Sequence, residues 1–346
     1  MIETGLVRYG VLGAANIARS FIRGMAGSEL ARVEAVASRT SEKSAAFAAE
    51  MGVPRHHGSY EALLADPAID AIYLPLPNDM HAEWAIRAAE AGKHVLSEKP
   101  LAVSANEAKA MFAAARLHGV HLAEAYPYMS QQQTLRLRAL LAEGAIGQIQ
   151  LATAAFGFGL LSPDGAPLGD PANIRLNPIR GGGSLLDAGT YAMSMLRISV
   201  GERPRRVFAT GRYTAENVDQ TVVAIIEFPS GVIGQLSSSM STAWHRHATI
   251  VGTTGVIETN YANHAPVDGT LSLRIKRGIP GTVPFETETL PGGDGFRAEG
   301  DSFARMIRNG PTHWNGATEA ESIDTVMSLE AIAESARTGA WADLPT

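Results

Sequence analysis

Gly10-Val11-Leu12-Gly13-Ala14-Ala15-Asn16-Ile17-Ala18 decides how the rest of the chain is read. It follows an apolar run over residues 6–9 and opens a helical pattern over 17–25. Strand, small-residue turn and helix are the layout of a dinucleotide site. Gly13-x-Ala15-x-x-Ala18 is a variant of the G-x-G-x-x-G fingerprint. Gly13 permits a tight turn, Ala15 lets the backbone approach a pyrophosphate, and Ala18 lets the helix pack close to the strand. The backbone N–H groups at the helix start, around Asn16 and Ile17, would face the phosphates at the positive end of the helix dipole. With two of the three glycines replaced, the stretch also suits a packed strand-to-helix turn, so the rest of the sequence must decide between the two.

The alternation continues outward from that turn. Residues 33–37, 71–74, 94–97 and 120–125 read as short strands, separated by helical patterns over 41–51, 60–64, 80–91 and 104–118. Ser41 is placed to cap the second helix, and Gly92 to end the fourth. Repeated strand–helix units imply right-handed crossovers and a parallel sheet covered on both faces. Ligands of such a sheet lie beyond the carboxyl ends of its strands. That rule selects Gly13 and Ala15, Ser38 and Arg39, Leu76, Pro77 and Asn78, Glu98, Lys99 and Pro100, and Glu124 to Tyr126.

The end of the second strand bears on the cofactor. NAD sites commonly place Asp or Glu there for the ribose hydroxyls, but this strand ends in Ala37-Ser38-Arg39-Thr40, with Glu34 several residues too early. Arg39 can pair with a 2′-phosphate and Ser38 can donate to it, which favours NADP(H) over NAD(H). The plain alternative is that Arg39 is a solvated loop residue.

Composition limits the other classes. The chain has 346 residues, enough for two domains at the usual size of about 100–200 residues each. Hydrophobic residues are 45% and charged residues only 18%, so a full core is expected rather than disorder. A net charge of −6 points to neither nucleic acid nor an anionic membrane. Cysteine is absent, which excludes disulfides, thiolate catalysis and cysteine zinc sites. Met1-Ile2-Glu3-Thr4 has no basic, then apolar, leader pattern, and no apolar run is long enough to span a bilayer, so a cytoplasmic protein is expected.

Several positions together resemble the Gfo/Idh/MocA oxidoreductase family. They are Gly13-x-Ala15-x-x-Ala18, Pro77-Asn78-x-x-His81, Gly92-Lys93-His94-Val95-Leu96-Ser97-Glu98-Lys99-Pro100, Glu124-Ala125-Tyr126 and Gly181-Gly182-Gly183-x-Leu185-Leu186-Asp187-x-Gly189-x-Tyr191. The ending Asp187-x-Gly189-x-Tyr191 resembles the branch of glucose–fructose oxidoreductase, dimeric dihydrodiol dehydrogenase and NADP-dependent xylose dehydrogenase. The family often carries Arg-x-x-Pro after the Glu-Ala-x-x-Tyr segment; here Tyr128 is followed by Met129-Ser130-Gln131-Gln132.

The resemblance implies an α/β chain: an N-terminal Rossmann dinucleotide-binding domain over 1–125 and a C-terminal α+β domain over 126–346. The second domain would carry a large, open, mostly antiparallel sheet, serving substrate binding and assembly into a homodimer or homotetramer. Strand patterns over 149–156, 207–212, 221–228, 232–238 and 249–252 agree, as do helical patterns over 184–200, 296–308 and 317–337. The last helix is expected to return toward the first domain. The Gly- and Pro-bearing stretch 158–183 is long enough to be functional rather than a simple connector.

The implied chemistry is hydride exchange between a nicotinamide and a sugar, polyol or cyclic diol. By resemblance, Lys99 sits beside the substrate hydroxyl and stabilises the developing alkoxide. Asp187 and Tyr191, four apart on a predicted helix, share a face. Tyr191 is the candidate acid–base group, and Asp187 the residue that orients hydroxyls and keeps Lys99 charged. Glu98 and Glu124 would contact the nicotinamide ribose or amide, although Glu98 can instead cap the next turn. Asn78 can donate to the cofactor. His81 belongs to the cofactor set by motif, with a structural role as the alternative. Tyr126 and Arg175 are substrate candidates, Arg175 being otherwise a solvated loop residue. Pro100 suits a cis bond. His245 and His247 alternate along a strand with no third ligand nearby, so no metal is expected. Two other classes stay open: glycoside hydrolysis or elimination through transient oxidation by a tightly held cofactor, and a non-catalytic cofactor-binding regulator.

Overall fold

The computed structural model describes residues 5–265 and 269–345. Met1-Ile2-Glu3-Thr4, read above as carrying no leader, lie outside the described residues. Among those described, no helix is long and apolar enough to cross a membrane.

Chain contacts divide the protein into two compact units. The first opens with six parallel strands: β1 (Val7–Leu12), β2 (Ala31–Ala37), β3 (Arg55–His57), β4 (Ala71–Leu74), β5 (His94–Glu98) and β6 (Leu122–Ala125). Their spatial order is β3-β2-β1-β4-β5-β6, the doubly wound Rossmann order. The intervening helices are α1 (Asn16–Met25), α2 (Ser41–Met51), α3 (Tyr60–Leu64), α4 (His81–Glu90) and α5 (Ala105–Leu117). All four residues of β4 are buried, as a strand covered on both faces requires. Helix α2 is capped one residue earlier than the sequence suggests. Thr40 has the extended backbone of an N-cap and its hydroxyl accepts from Lys43 N at 3.3 Å, which leaves Ser41 as the first helical residue.

Among the described residues, the second unit holds α6 (Gln132–Ala142), α7 (Thr190–Val200) and nine strands. These are β7 (Ile149–Gly159), β8 (Arg206–Tyr213), β9 (Asp219–Glu227), β10 (Ile233–Ser239), β11 (Ser241–Gly252), β12 (Gly255–Thr259), β13 (Thr270–Arg277), β14 (Glu286–Pro291) and β15 (Ala342–Asp343). Their order is β14-β13-β12-β11-β7-β10-β9-β8-β15, and every pairing is antiparallel except β7 with β10. Helices α6 and α7 pack on this sheet. On β9 the buried residues Val222, Ala224 and Ile226 alternate with Val223 and Ile225, which stay exposed.

The expectation for the chain's return needs correction. The helix that goes back to the first unit is α8 (Gly295–Asn309), not the last one. Phe296, Phe303, Ala304 and Met306 of α8 join the first unit's core with Val7, Tyr9, Phe21 and Met25. The Tyr9 hydroxyl donates to the carbonyl of Gly300 at 3.0 Å. The last helix, α9 (Glu319–Thr338), lies almost wholly in the second unit, where Asp324 accepts from Arg197 at 3.0 Å. The first unit also keeps residues 126–131, so it reaches slightly past the expected boundary at 125.

Candidate active site

The carboxyl ends of the first sheet gather most of the residues selected from sequence. Gly13 follows β1 with φ +128°, a backbone that side chains rarely adopt, and a Cβ there would stand 3.0 Å from Leu76 Cδ2. No side chain caps the start of α1 at Ala15. Its first turn carries the exposed Asn16, which accepts from Arg19 at 3.1 Å, and the exposed apolar Ile17. An uncapped helix start behind a glycine turn suits a phosphate, and the apolar residue beside it suits a flat ring. At the end of β2, Ser38 is buried with its N–H on the His57 carbonyl at 3.3 Å. Arg39 is exposed, close enough for its charge to act on Tyr60. After β4 come the buried Leu76, then Pro77, then Asn78 opening a single 3₁₀ turn, Asn78–Met80.

The segment after β5 is tied down on all sides. Glu98 accepts from the Tyr73 hydroxyl at 2.5 Å and from Lys99 N at 3.2 Å. The Lys99–Pro100 bond is cis. Glu124, fully buried on β6, accepts from Leu101 N at 2.9 Å. Lys99 itself is half-buried.

For His81 the structural alternative has direct contacts behind it. Its ring is fully enclosed, with Nδ1 2.9 Å from the Pro100 carbonyl and Nε2 2.8 Å from the Leu76 carbonyl. Burial, then the nearby Lys99 charge, hold its pKa below the usual histidine range. It thereby links two of the loops that carry candidate cofactor contacts. Tyr126 is likewise enclosed, with its ring edge-on to Tyr128 at 5.9 Å between centroids.

In the second unit, the run Gly181-Gly182-Gly183 leads into the helix that carries Asp187 and Tyr191. That helix does not start as an α-helix. It opens with a wider π turn, Leu185–Gly189, before α7 begins. The simple i, i+4 face expected for Asp187 and Tyr191 is therefore altered at its first turn, a distortion common at functional sites. The turn is anchored by Asp219 at the start of β9. Its Oδ2 accepts from Leu185 N at 2.6 Å and from the Ser184 hydroxyl at 2.9 Å. Burial pushes the Asp219 carboxyl up to about 6, against those bonds, which favour the charged form. Arg175 donates through Nε to Asp187 Oδ2 at 2.5 Å, so the loop arginine is an ion-pair partner of the candidate orienting carboxylate.

Tyr191 is nearly buried among Phe156, Arg246 and Asn263. The Arg246 guanidinium lies 4.3 Å from the Tyr191 ring centre, 4.4 Å from that of Tyr261 and 5.1 Å from that of Phe156. Asn263 Nδ2 donates to the Tyr191 hydroxyl oxygen at 3.2 Å. Sequence reasoning passed over Asp219, Arg246, Tyr261 and Asn263. Arg246 had one available signal: it stands between His245 and His247 on the inward-facing alternate of a strand, where burying a cation is costly. His245 and His247 have ring centres 6.2 Å apart, and among the described residues no three His, Asp or Glu side chains form a metal-ligand group.

Comparison with known proteins gives a consistent result. Residues 7–126 match the oxidoreductase family with an NAD-binding Rossmann fold, and residues 134–258 match the GFO/IDH/MocA C-terminal domain. An NADP-linked D-xylose 1-dehydrogenase of Haloferax volcanii is 38% identical over 97% of this chain and 99% of its own. Trans-1,2-dihydrobenzene-1,2-diol dehydrogenase of Mus musculus is 34% identical over 73% of this chain and 74% of its own. A 3-ketoreductase of Actinomadura kijaniata, solved with NADP and TDP-benzene, superposes with a TM-score of 0.83 at 30% identity, over 96% of this chain and 98% of its own.

Proposed function

The chain belongs to the Gfo/Idh/MocA family of NAD(P)-dependent oxidoreductases, and from that premise we propose an NADP-preferring dehydrogenase or reductase of a sugar, polyol or cyclic diol. One observation carries this reading. The glycine turn at Gly13 and the ammonium-bearing Lys99 both end strands at the carboxyl edge of one doubly wound sheet, where such sheets hold their ligands. Arg39 and Ser38, with no acidic residue at that strand end, support a 2′-phosphate and hence NADP.

A bound nicotinamide supplies the hydride acceptor or donor at the reacting carbon. The chain's own groups handle binding and the proton. In oxidation Tyr191 would act as the phenolate, its oxygen taking the substrate hydroxyl proton and so becoming the neutral phenol; in reduction the neutral Tyr191 phenol would give that proton to the reacting oxygen and return to the phenolate. Lys99 steadies the negative charge on the reacting oxygen, and Asp187, braced by Arg175, accepts from the substrate hydroxyls. Leu76, Pro77, Asn78, Ile17 and Glu124 complete the cofactor set, and Tyr126 the substrate set. The exposed apolar residues of β9, Val223 and Ile225, support self-association through the second sheet as a dimer or tetramer, which sedimentation velocity measures directly.

The test is a fluorescence titration of the purified protein with NADPH and NADH, followed by a sugar and diol screen with the tighter cofactor. Preferential NADPH binding and turnover of a polyhydroxy substrate are expected. Binding of neither cofactor would overturn the proposal.

A further inference from the structure

A buried cation next to the candidate acid–base tyrosine calls for a physical account. Arg246 projects from β11 into the second unit's interior, and its guanidinium stacks on both Tyr191 and Tyr261. We propose that Arg246 is a positioning residue for Tyr191, whose charge eases loss of the Tyr191 phenol proton and so lets this tyrosine serve as a base. The proposal rests on the reading of Tyr191 given above.

The hydrogen bonds around the cation distinguish the two tyrosines. Arg246 Nη1 donates to Asn263 Oδ1 at 3.1 Å. That bond orients the Asn263 amide, so its Nδ2 is the end turned to the Tyr191 hydroxyl oxygen at 3.2 Å. The Tyr191 oxygen thus receives a donor, which stabilises it after the proton has left. Tyr261 is arranged oppositely. It is fully enclosed, and its hydroxyl donates to the Ala155 carbonyl at 2.9 Å, so its proton is held in place. Burial pushes the Tyr261 pKa far above the usual tyrosine range, even with Arg246 opposing the shift. One cation therefore serves two rings: at Tyr261 full burial outweighs the Arg246 charge and hydrogen bond, while the less enclosed Tyr191 oxygen receives the Asn263 amide.

Other titratable groups stand nearby: His245 and His247 flank Arg246 on β11, and His264 follows Asn263. Asp187 precedes Tyr191 by one turn and is engaged by Arg175, while Phe156 and Asn263 are neutral. Arginine suits the position better than lysine. Its planar group stays protonated when buried and stacks on rings while still donating at its edge.

The experiment combines ultraviolet difference titration of tyrosinate with pH profiles of kcat for alcohol oxidation, using wild type, Tyr191→Phe, Arg246→Met and Arg246→Lys. In wild type, one tyrosine should ionise about one pH unit or more below the others, and its signal should be missing in Tyr191→Phe. In Arg246→Met that ionisation and the acidic limb of kcat should both move up by about one pH unit or more, with NADPH affinity retained. Arg246→Lys should restore part of the shift. An unmoved limb in a folded Arg246→Met protein overturns the proposal. Should that variant not fold, a wild type in which Tyr191 does not ionise ahead of the other tyrosines overturns it as well. A Tyr191→Phe enzyme that keeps its turnover and its limb overturns the acid–base reading itself. That result is distinct from an inactive Tyr191→Phe beside an unmoved Arg246→Met.

Discussion

A Cβ atom on Gly183 would stand 1.8 Å from Oδ1 of Asp219. The glycine and the carboxylate are thus matched: the missing side chain is the space into which Asp219 reaches to hold the start of the Asp187–Tyr191 helix. Gly183 also has φ +120°, which a side chain tolerates poorly. Gly183→Ala should therefore strain the backbone and displace the carboxylate from Leu185 and Ser184. Together these effects should cost about 2–5 kcal/mol. Denaturant unfolding reads the loss; a change under about 0.5 kcal/mol, the size of an ordinary surface substitution, would contradict the matched pair.

Asp219 gives stability a pH signature. Its folded-state pKa of about 6 lies above the ordinary value of 3.8, so the native state holds its proton more tightly than the unfolded chain does. The resulting stabilisation is fully present below the unfolded value and is lost as pH rises through the folded one. The integrated effect of two units is on the order of 3 kcal/mol. Asp219→Asn removes this titration. Relative to wild type, the variant should gain stability steadily between pH 4 and pH 6 and level off above about pH 7, whatever the constant cost of altering the cap. A pH-independent difference between the two proteins would refute the assignment.

Lys99→Met and Tyr191→Phe should each lower kcat by about 10²–10⁴-fold, the usual worth of a placed proton-transfer or charge-stabilising group. NADPH affinity should stay near wild type in Tyr191→Phe. Stopped-flow hydride transfer separates this loss from slow product release, and near-normal transfer in either variant removes that residue from the mechanism.

Arg39→Ala should weaken NADPH binding by about 10–100-fold, the value of a charge-assisted bond pair of about 1.5–3 kcal/mol. NADH binding should hardly change. Equal weakening for both cofactors would mean that Arg39 supports the loop rather than the 2′-phosphate.

The first unit was largely legible because its signals are local. Buried parallel strands appear as short apolar runs such as Ala71 to Leu74, and the turns after them carry Gly13, Asn78 and Lys99 in a recognisable spacing. Where the reading slipped, a neighbour in space decided the outcome. For His81 the motif spacing left cofactor contact and structural role both open, because it gives no hint of the Leu76 and Pro100 carbonyls that enclose the ring. Strand β13 was missed despite the alternation of Leu271, Leu273 and Ile275, since its other residues are polar. Asp219, Arg246 and Asn263 are 28, 55 and 72 residues from Tyr191 along the chain, and the pairing of β7, β9, β10, β11 and β12 brings them to one helix. The π turn could not be foreseen either, because its anchor is one of those distant residues.

The path of α8 has a consequence for how the protein is made. Phe296 and Phe303 complete a core whose other members, Val7, Tyr9 and Phe21, leave the ribosome nearly three hundred residues earlier. Until α8 emerges, the nascent dinucleotide-binding unit exposes that apolar face, and every strand of the second sheet but β15 is synthesised in the interval. A fragment ending at residue 131 should accordingly be aggregation-prone, and adding residues 293–319 as a separate peptide should rescue its solubility.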